Sequence, residues 1–167
     1  MKVWLNGTVM DKQDATLSVY DHGTLYGDGV FEGIRVYGGR IFQCGPHLSR
    51  LYRSAERLRL QIPYTPDELR QAMEDTVAAD ERRDGYIRLV VTRGVGTLGL
   101  SPLQCPRPNV FMIVDDILLY PQEMYDHGMS VIIANTVRCS ARTLDPQVKS
   151  LNYLNNIMAK IEAIDAD

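Results

Sequence analysis

Lys149 stands in the string V-K-S-L-N-Y-L-N-N, residues 148–156. A lysine amine acts as a nucleophile or a base only when neutral, which requires partial desolvation or nearby positive charge. Val148, Leu151 and Leu154 supply apolar neighbours of that kind. Without context the same string reads as an ordinary buried helix start, and most single lysines are solvated surface residues. Arg50 is the second candidate. It lies in the first turns of a helix opened by Gly45-Pro46, where a cation sits mildly against the helix dipole. An anion at that place would reverse the sign, bound by the helix amides and the guanidinium together.

Other stretches are less eligible. The run from Arg93 to Pro102, R-G-V-G-T-L-G-L-S-P, is glycine-rich but lacks the Lys-Ser/Thr of a phosphate-binding loop, and no helix is expected after it. Leu98 and Leu100 on that loop read as apolar contacts reaching toward a pocket or a partner. His22, His47 and His127 have no ligand spacing, so no metal site is expected. His22, in D-H-G, reads as a turn hydrogen-bonder rather than a base. No G-x-S-x-G string or Cys–His nucleophile pattern occurs. Arg50, Arg53, Arg57 and Arg59 cluster, yet Glu56 stands among them and Asp67 and Glu68 follow, the pattern of a solvated helix face.

Composition narrows the class. The 167 residues are 45% hydrophobic and 23% charged, enough to bury a core and unlike a disordered chain. A net charge of −3 with no basic, aromatic-interleaved stripe argues against a nucleic-acid partner. Cys44, Cys105 and Cys139 form no C-x-x-C and cannot all pair, which fits reduced thiols in a cytoplasmic protein. The N-terminus M-K-V-W-L-N-G has no signal-peptide core, and no apolar run is long enough to span a membrane.

The elements that must position these residues alternate between strand and helix. Val3–Leu5 and Thr8–Met10 flank Asn6-Gly7, a type I′ hairpin signal. Val30 to Tyr37 reads as a strand, turned by Gly38-Gly39 into Arg40–Phe42. Leu48, Leu51, Tyr52, Ala55 and Leu58 recur at helical spacing, and this helix stops before Pro63. Thr65-Pro66-Asp67-Glu68 is a capping-box start for a second helix whose inner face is Leu69, Ala72, Met73 and Val77. Tyr86–Thr92, Val110–Val114 and Met129–Val137 read as strands, and Asn152–Ile164 as a helix. The expected fold class is mixed α/β: a complete, α+β-like small domain over 1–115, a connector over 116–128, and the start of a second domain over 129–167.

Four strings in order carry a resemblance to the class IV aminotransferases, enzymes that use pyridoxal 5'-phosphate (PLP). They are L-Y-G-D-G-V-F-E-G-I-R (25–35), H-L-S-R-L with Ser54-Ala55 (47–55), Y-I-R followed by T-R-G-V-G (86–96), and V-K-S-L-N-Y-L (148–154). F-E-G-I-R is most similar to the branched-chain amino acid aminotransferases. D-amino acid transaminases and aminodeoxychorismate lyases share the fold and are the alternatives. The resemblance implies fold type IV, with the larger domain holding the cofactor. It implies Lys149 as the Schiff-base and proton-moving lysine, Arg50 on the cofactor phosphate, and Tyr153 on the ring's phenolic oxygen. Phe31, Tyr86 and Tyr120 would line the side-chain pocket. Arg88, on the same strand face as Tyr86, would take the distal carboxylate of glutamate. Tyr26, Leu98 and Leu100 would reach the neighbouring subunit's site, implying a homodimer or higher homo-oligomer. The implied reaction is transamination of leucine, isoleucine and valine with 2-oxoglutarate.

In that family the chain continues well beyond the lysine and supplies a carboxylate to the pyridine nitrogen, further phosphate donors and a turn for the substrate carboxylate. The resemblance therefore implies a truncated aminotransferase. A reading from another class is a non-enzymatic dimerisation or interaction module. The expected outcome is that the purified 167-residue chain turns over leucine and 2-oxoglutarate slowly or not at all. Rapid turnover in a coupled assay would refute it.

Overall fold

Asn6 and Gly7 both take positive φ, 48° and 102°, as a two-residue hairpin turn between right-twisted strands requires. They join β1 (Lys2–Leu5) to β2 (Thr8–Asp11) in the register Leu5 to Thr8. The computed structural model describes residues 1–117 and 120–166, so positions 118 and 119 of the expected connector and the final Asp167 lie outside the described residues. A short helix, α1 (His22–Tyr26), precedes β3 (Gly29–Tyr37) and β4 (Arg40–Ile41). Two longer helices follow, α2 (Cys44–Arg57) and α3 (Pro66–Asp80), then β5 (Gly85–Thr92) and β6 (Asn109–Asp115). The strands form one antiparallel sheet in the order β2-β1-β6-β5-β3-β4.

α3 starts where its capping box places it. The Thr65 hydroxyl accepts from the Glu68 amide, and the Glu68 carboxylate accepts from the Thr65 amide. Its inner face, Leu69, Ala72, Met73 and Val77, joins Leu48, Leu51 and Ala55 of α2 in one core. The sheet contributes alternate residues: Val30, Ile34 and Val36 from β3, Ile87, Leu89 and Val91 from β5, and Val110, Met112 and Val114 from β6. Each fully buried aliphatic side chain stabilises by about 1.5–3 kcal/mol relative to exposure. The two-residue period then sends Phe31, Gly33, Arg35, Tyr86 and Arg88 to the opposite face.

Two polar hubs lock the loops around this core. Asp21, fully buried, accepts from the Gly23 amide as the cap of α1, from Thr92 Oγ1 and from Asn109 Nδ2, each at 2.7 Å. Arg93 pairs with Asp28 through Nε and Nη2, and donates to the carbonyls of Leu58 and Arg59 just past α2. His22 is buried at the start of α1, with Nε2 2.7 Å from the Thr97 carbonyl, so it stitches the 93–102 loop to α1. That loop runs into a single 3-10 turn, Pro102–Gln104, rather than a full helix.

The chain divides into two units, Met1–Asp116 with Gln147–Leu151, and Ile117–Pro146 with Asn152–Asp167. The second holds α4 (Gln122–His127), absent from the sequence reading, and α5 (Leu154–Asp165), which starts two residues later than expected. The expected strand over 129–137 is not present. No segment forms a ladder with it among the described residues, and Val131 and Ile133 are 82% and 98% exposed. β-branched residues favour a strand only when a neighbouring strand gives them a surface to pack on. Here the stretch is held by side chains instead: Glu162 of α5 accepts from the Asn135 and Thr136 amides, and Asn155 Nδ2 donates to the Val137 carbonyl.

Asp21→Ala should destabilise the fold by about 2–3 kcal/mol, because the buried Thr92 hydroxyl and the half-buried Asn109 amide lose their acceptor. Urea titration should show a lower midpoint with an unchanged slope. A midpoint equal to the parent's would contradict the hub role.

Candidate active site

β4 pairs with β3 only at Val36 and Tyr37, which leaves the other end of that β3 edge open. The lysine segment fills it. Phe31 N donates to the Lys149 carbonyl at 3.0 Å, Leu151 N donates to the Gly29 carbonyl at 2.9 Å, and Val30 and Ser150 form an antiparallel bridge. Lys149 N also donates to Ser54 Oγ on α2, at 3.1 Å. Gly29 permits this approach, since a Cβ there would stand 2.5 Å from the Val91 carbonyl oxygen and 2.7 Å from Leu151 Cδ1. Lys149 is thus fixed by its backbone while its half-buried side chain projects.

The Lys149 Nζ ends 4.3 Å from the centre of the Phe31 ring. Arg88 lies 4.7 Å from the same centre and 5.3 Å from that of Tyr86. The β3–β5 register explains the grouping: Phe31 faces Val90, Gly33 faces Arg88 and Arg35 faces Tyr86, so all share one sheet face. Phe31 therefore attracts two cations, the amine and the guanidinium, through its negative ring faces. Tyr86 lies across β3 above Gly33, where a Cβ would come within 2.0 Å of the phenolic oxygen. Lys149 thus joins Phe31, Tyr86 and Arg88 in one cluster.

α2 opens at Cys44, so Arg50 stands in its second turn. Its side chain, 45% exposed, is gripped from below by Glu32: Nε donates to Oε1 at 2.6 Å and Nη2 to Oε2 at 2.7 Å. His47 Nδ1 completes the set, 2.9 Å from Oε2. Glu32 is fully buried on the core face of β3. Burial pushes its carboxyl up, but the bonds from Arg50 and His47 outweigh that and hold it below the usual range. Neither Glu32 nor His47 carried a role in the sequence reading. The available signal was the carboxylate at the second place of the alternating apolar face Val30, Glu32, Ile34, Val36.

The remaining candidates stand elsewhere. The Tyr26 hydroxyl donates to the Leu98 carbonyl, and Leu98 and Leu100 are 67% and 77% exposed, so these three form a separate apolar group at α1 and the loop. Tyr120 and Tyr153 belong to the second unit, Tyr120 with its ring 6.3 Å from that of Tyr125 and Tyr153 at the start of α5.

A lysine amine, an arginine guanidinium and an aromatic ring in one unit make a donor set suited to a phosphorylated aldehyde. Known proteins carry the same arrangement of chain. The sequence profile of the family "Amino-transferase class IV" matches residues 29–167. A protein of Methanocaldococcus jannaschii named "Putative branched-chain-amino-acid aminotransferase" is 48% identical over 163 residues, covering 98% of this chain and 56% of that protein. A D-alanine aminotransferase of Listeria monocytogenes is 36% identical over 98% of this chain and 56% of its own. The branched-chain aminotransferase of the thermophilic archaeon Thermoproteus uzoniensis, solved with norvaline, superposes with a TM-score of 0.90 at 32% identity, over 99% of this chain and 57% of that one. The 4-amino-4-deoxychorismate lyase of Pseudomonas aeruginosa superposes with a TM-score of 0.76 at 31% identity, over 96% and 56%. The chain thus spans about half the length of the relatives it matches, and its fold is the N-terminal portion of fold type IV. With the profile matched over most of its length, this chain belongs to the class IV aminotransferases, whose cofactor is PLP.

Proposed function

We propose that the protein to which this chain belongs transaminates branched-chain L-amino acids against 2-oxoglutarate, using PLP. The observation that carries the reading is the Lys149 amine lodged over Phe31 on a segment pinned at both the β3 edge and Ser54. When bound, PLP supplies an electron sink for the charge left at the substrate's α-carbon. The chain's own residues do the rest. Lys149 would face the cofactor's aldehyde carbon, and its amine, when free and neutral, would take the proton from the α-carbon of the amino acid. Arg50 would hold the phosphate, where a planar guanidinium suits a dianion. Tyr153 would hydrogen-bond the phenolic oxygen of the ring.

Phe31 and Tyr86 give the pocket an apolar, aromatic wall for a leucine, isoleucine or valine side chain, and the family resemblance assigns Tyr120 the same role. Arg88 would donate to the second carboxylate of glutamate, so one pocket would serve both substrates. The exposed Leu98 and Leu100, with Tyr26 behind them, fit a homodimer in which each subunit closes its neighbour's site. Three unpaired thiols fit a cytoplasmic setting.

Two experiments test this reading in the full-length protein. Borohydride reduction in the presence of PLP should fix a pyridoxyl group on Lys149, found by peptide mass, and Lys149→Ala should abolish both the adduct and leucine turnover. An adduct confined to another lysine would overturn the assignment. Gly33→Ala should displace Tyr86 and raise KM for leucine by about tenfold, because the added methyl occupies the place of the phenol. Faster turnover of D-alanine than of L-leucine by the parent would favour the D-amino acid reading instead.

A further inference from the structure

Glu32 is the unusual residue of β3. Val30, Ile34 and Val36 on its face are wholly buried and apolar, and Glu32 is buried as completely as they are. Replacing a buried ionic group by an apolar one of similar volume is often neutral or stabilising, so packing alone gives little reason for a carboxylate here. Both carboxylate oxygens are committed, Oε1 to Arg50 and Oε2 to Arg50 and His47. The partner they hold is a half-exposed arginine, a side chain that in water spreads over many rotamers and loses that freedom when ordered.

We propose that Glu32 is the positioning residue of the phosphate site: from inside the core it fixes the Arg50 guanidinium, with His47 as the second clamp, so that Arg50 meets a phosphate ester already ordered. This rests on the reading of Arg50 as the phosphate grip. The fork geometry supports it. Glu32 takes the Nε and Nη2 edge, which turns the Nη1 edge away from the carboxylate. Ser54, one helical turn after Arg50 on the same face of α2, receives the Lys149 amide. The neighbouring residue Phe31 carries the Lys149 amine on the other face of β3. Consecutive residues of one strand therefore set the two groups that a phosphorylated aldehyde needs at once. Ordering in advance lowers the entropic cost of binding and so appears as affinity.

The test compares PLP with pyridoxal, which lacks the phosphate, by titrating each into the full-length protein and following absorbance. Glu32→Gln should lower PLP affinity about tenfold and leave pyridoxal affinity within about twofold. The same substitution in an Arg50→Ala background should add nothing, since the group it positions is gone. His47→Gln should lower PLP affinity in the same phosphate-dependent way, by less. Should Glu32→Gln fail to fold, Glu32→Asp provides the comparison: its shorter arm keeps the charge but draws the guanidinium back, and PLP affinity should again fall selectively. Equal losses for PLP and pyridoxal would show a merely structural role and overturn the proposal. So would unchanged PLP affinity in the Glu32 variants when Arg50→Ala weakens it. If Arg50→Ala leaves the PLP-to-pyridoxal ratio unchanged, the assignment of Arg50 itself falls, and this inference with it.

Discussion

The two-residue period of β3 sends Val30, Glu32, Ile34 and Val36 toward α2 and α3, and Phe31, Gly33 and Arg35 toward the opposite face. A slip of one residue would place the carboxylate in the open and the aromatic ring in the core. The ladder to β5 and the packed apolar face prevent that slip. Every other feature of the cluster then depends on this one register. Tyr86 and Arg88 arrive on the Phe31 face because β5 pairs with β3 in phase, and the lysine segment docks where the short β4 leaves the β3 edge unpaired.

Charged groups buried around that strand act as fasteners rather than as a net source of stability. Asp21 ties α1 to β5 and β6, Arg93 ties Asp28 to the end of α2, and Glu32 ties β3 to Arg50 and His47. Each joins two separate elements, and each would be costly to leave half-paired. Their effect is geometric: they fix the relative places of elements that carry the lysine, the arginine and the aromatic wall.

The apolar surface is distributed unevenly. In the first unit α2 and α3 cover one face of the sheet, while Leu98, Leu100 and Leu103 remain in the open on the loop. In the second unit Val131, Ile133 and Leu154 are all exposed, and α5 buries none of its described residues fully. The same physics accounts for the absent strand over 129–137. Its β-branched composition is a preference for a paired, half-buried surface, and a preference of that kind creates no structure without the partner.

Local signals were legible in the sequence. Asn-Gly set the first hairpin, the Thr65 capping box set the start of α3, and helical spacing named the residues of α2 and α3 that form the core. Each depends on residues within a few positions of one another, so periodicity and turn chemistry suffice to read them. The ordered motifs also identified the family. Tertiary structure decided how those residues meet. The engagement of Arg50 by a carboxylate eighteen positions earlier, the docking of residues 149–151 on β3, and the space that Gly33 leaves for Tyr86 all join segments distant in the chain. Such contacts are selected by the packing of the whole core, and no local pattern encodes their geometry.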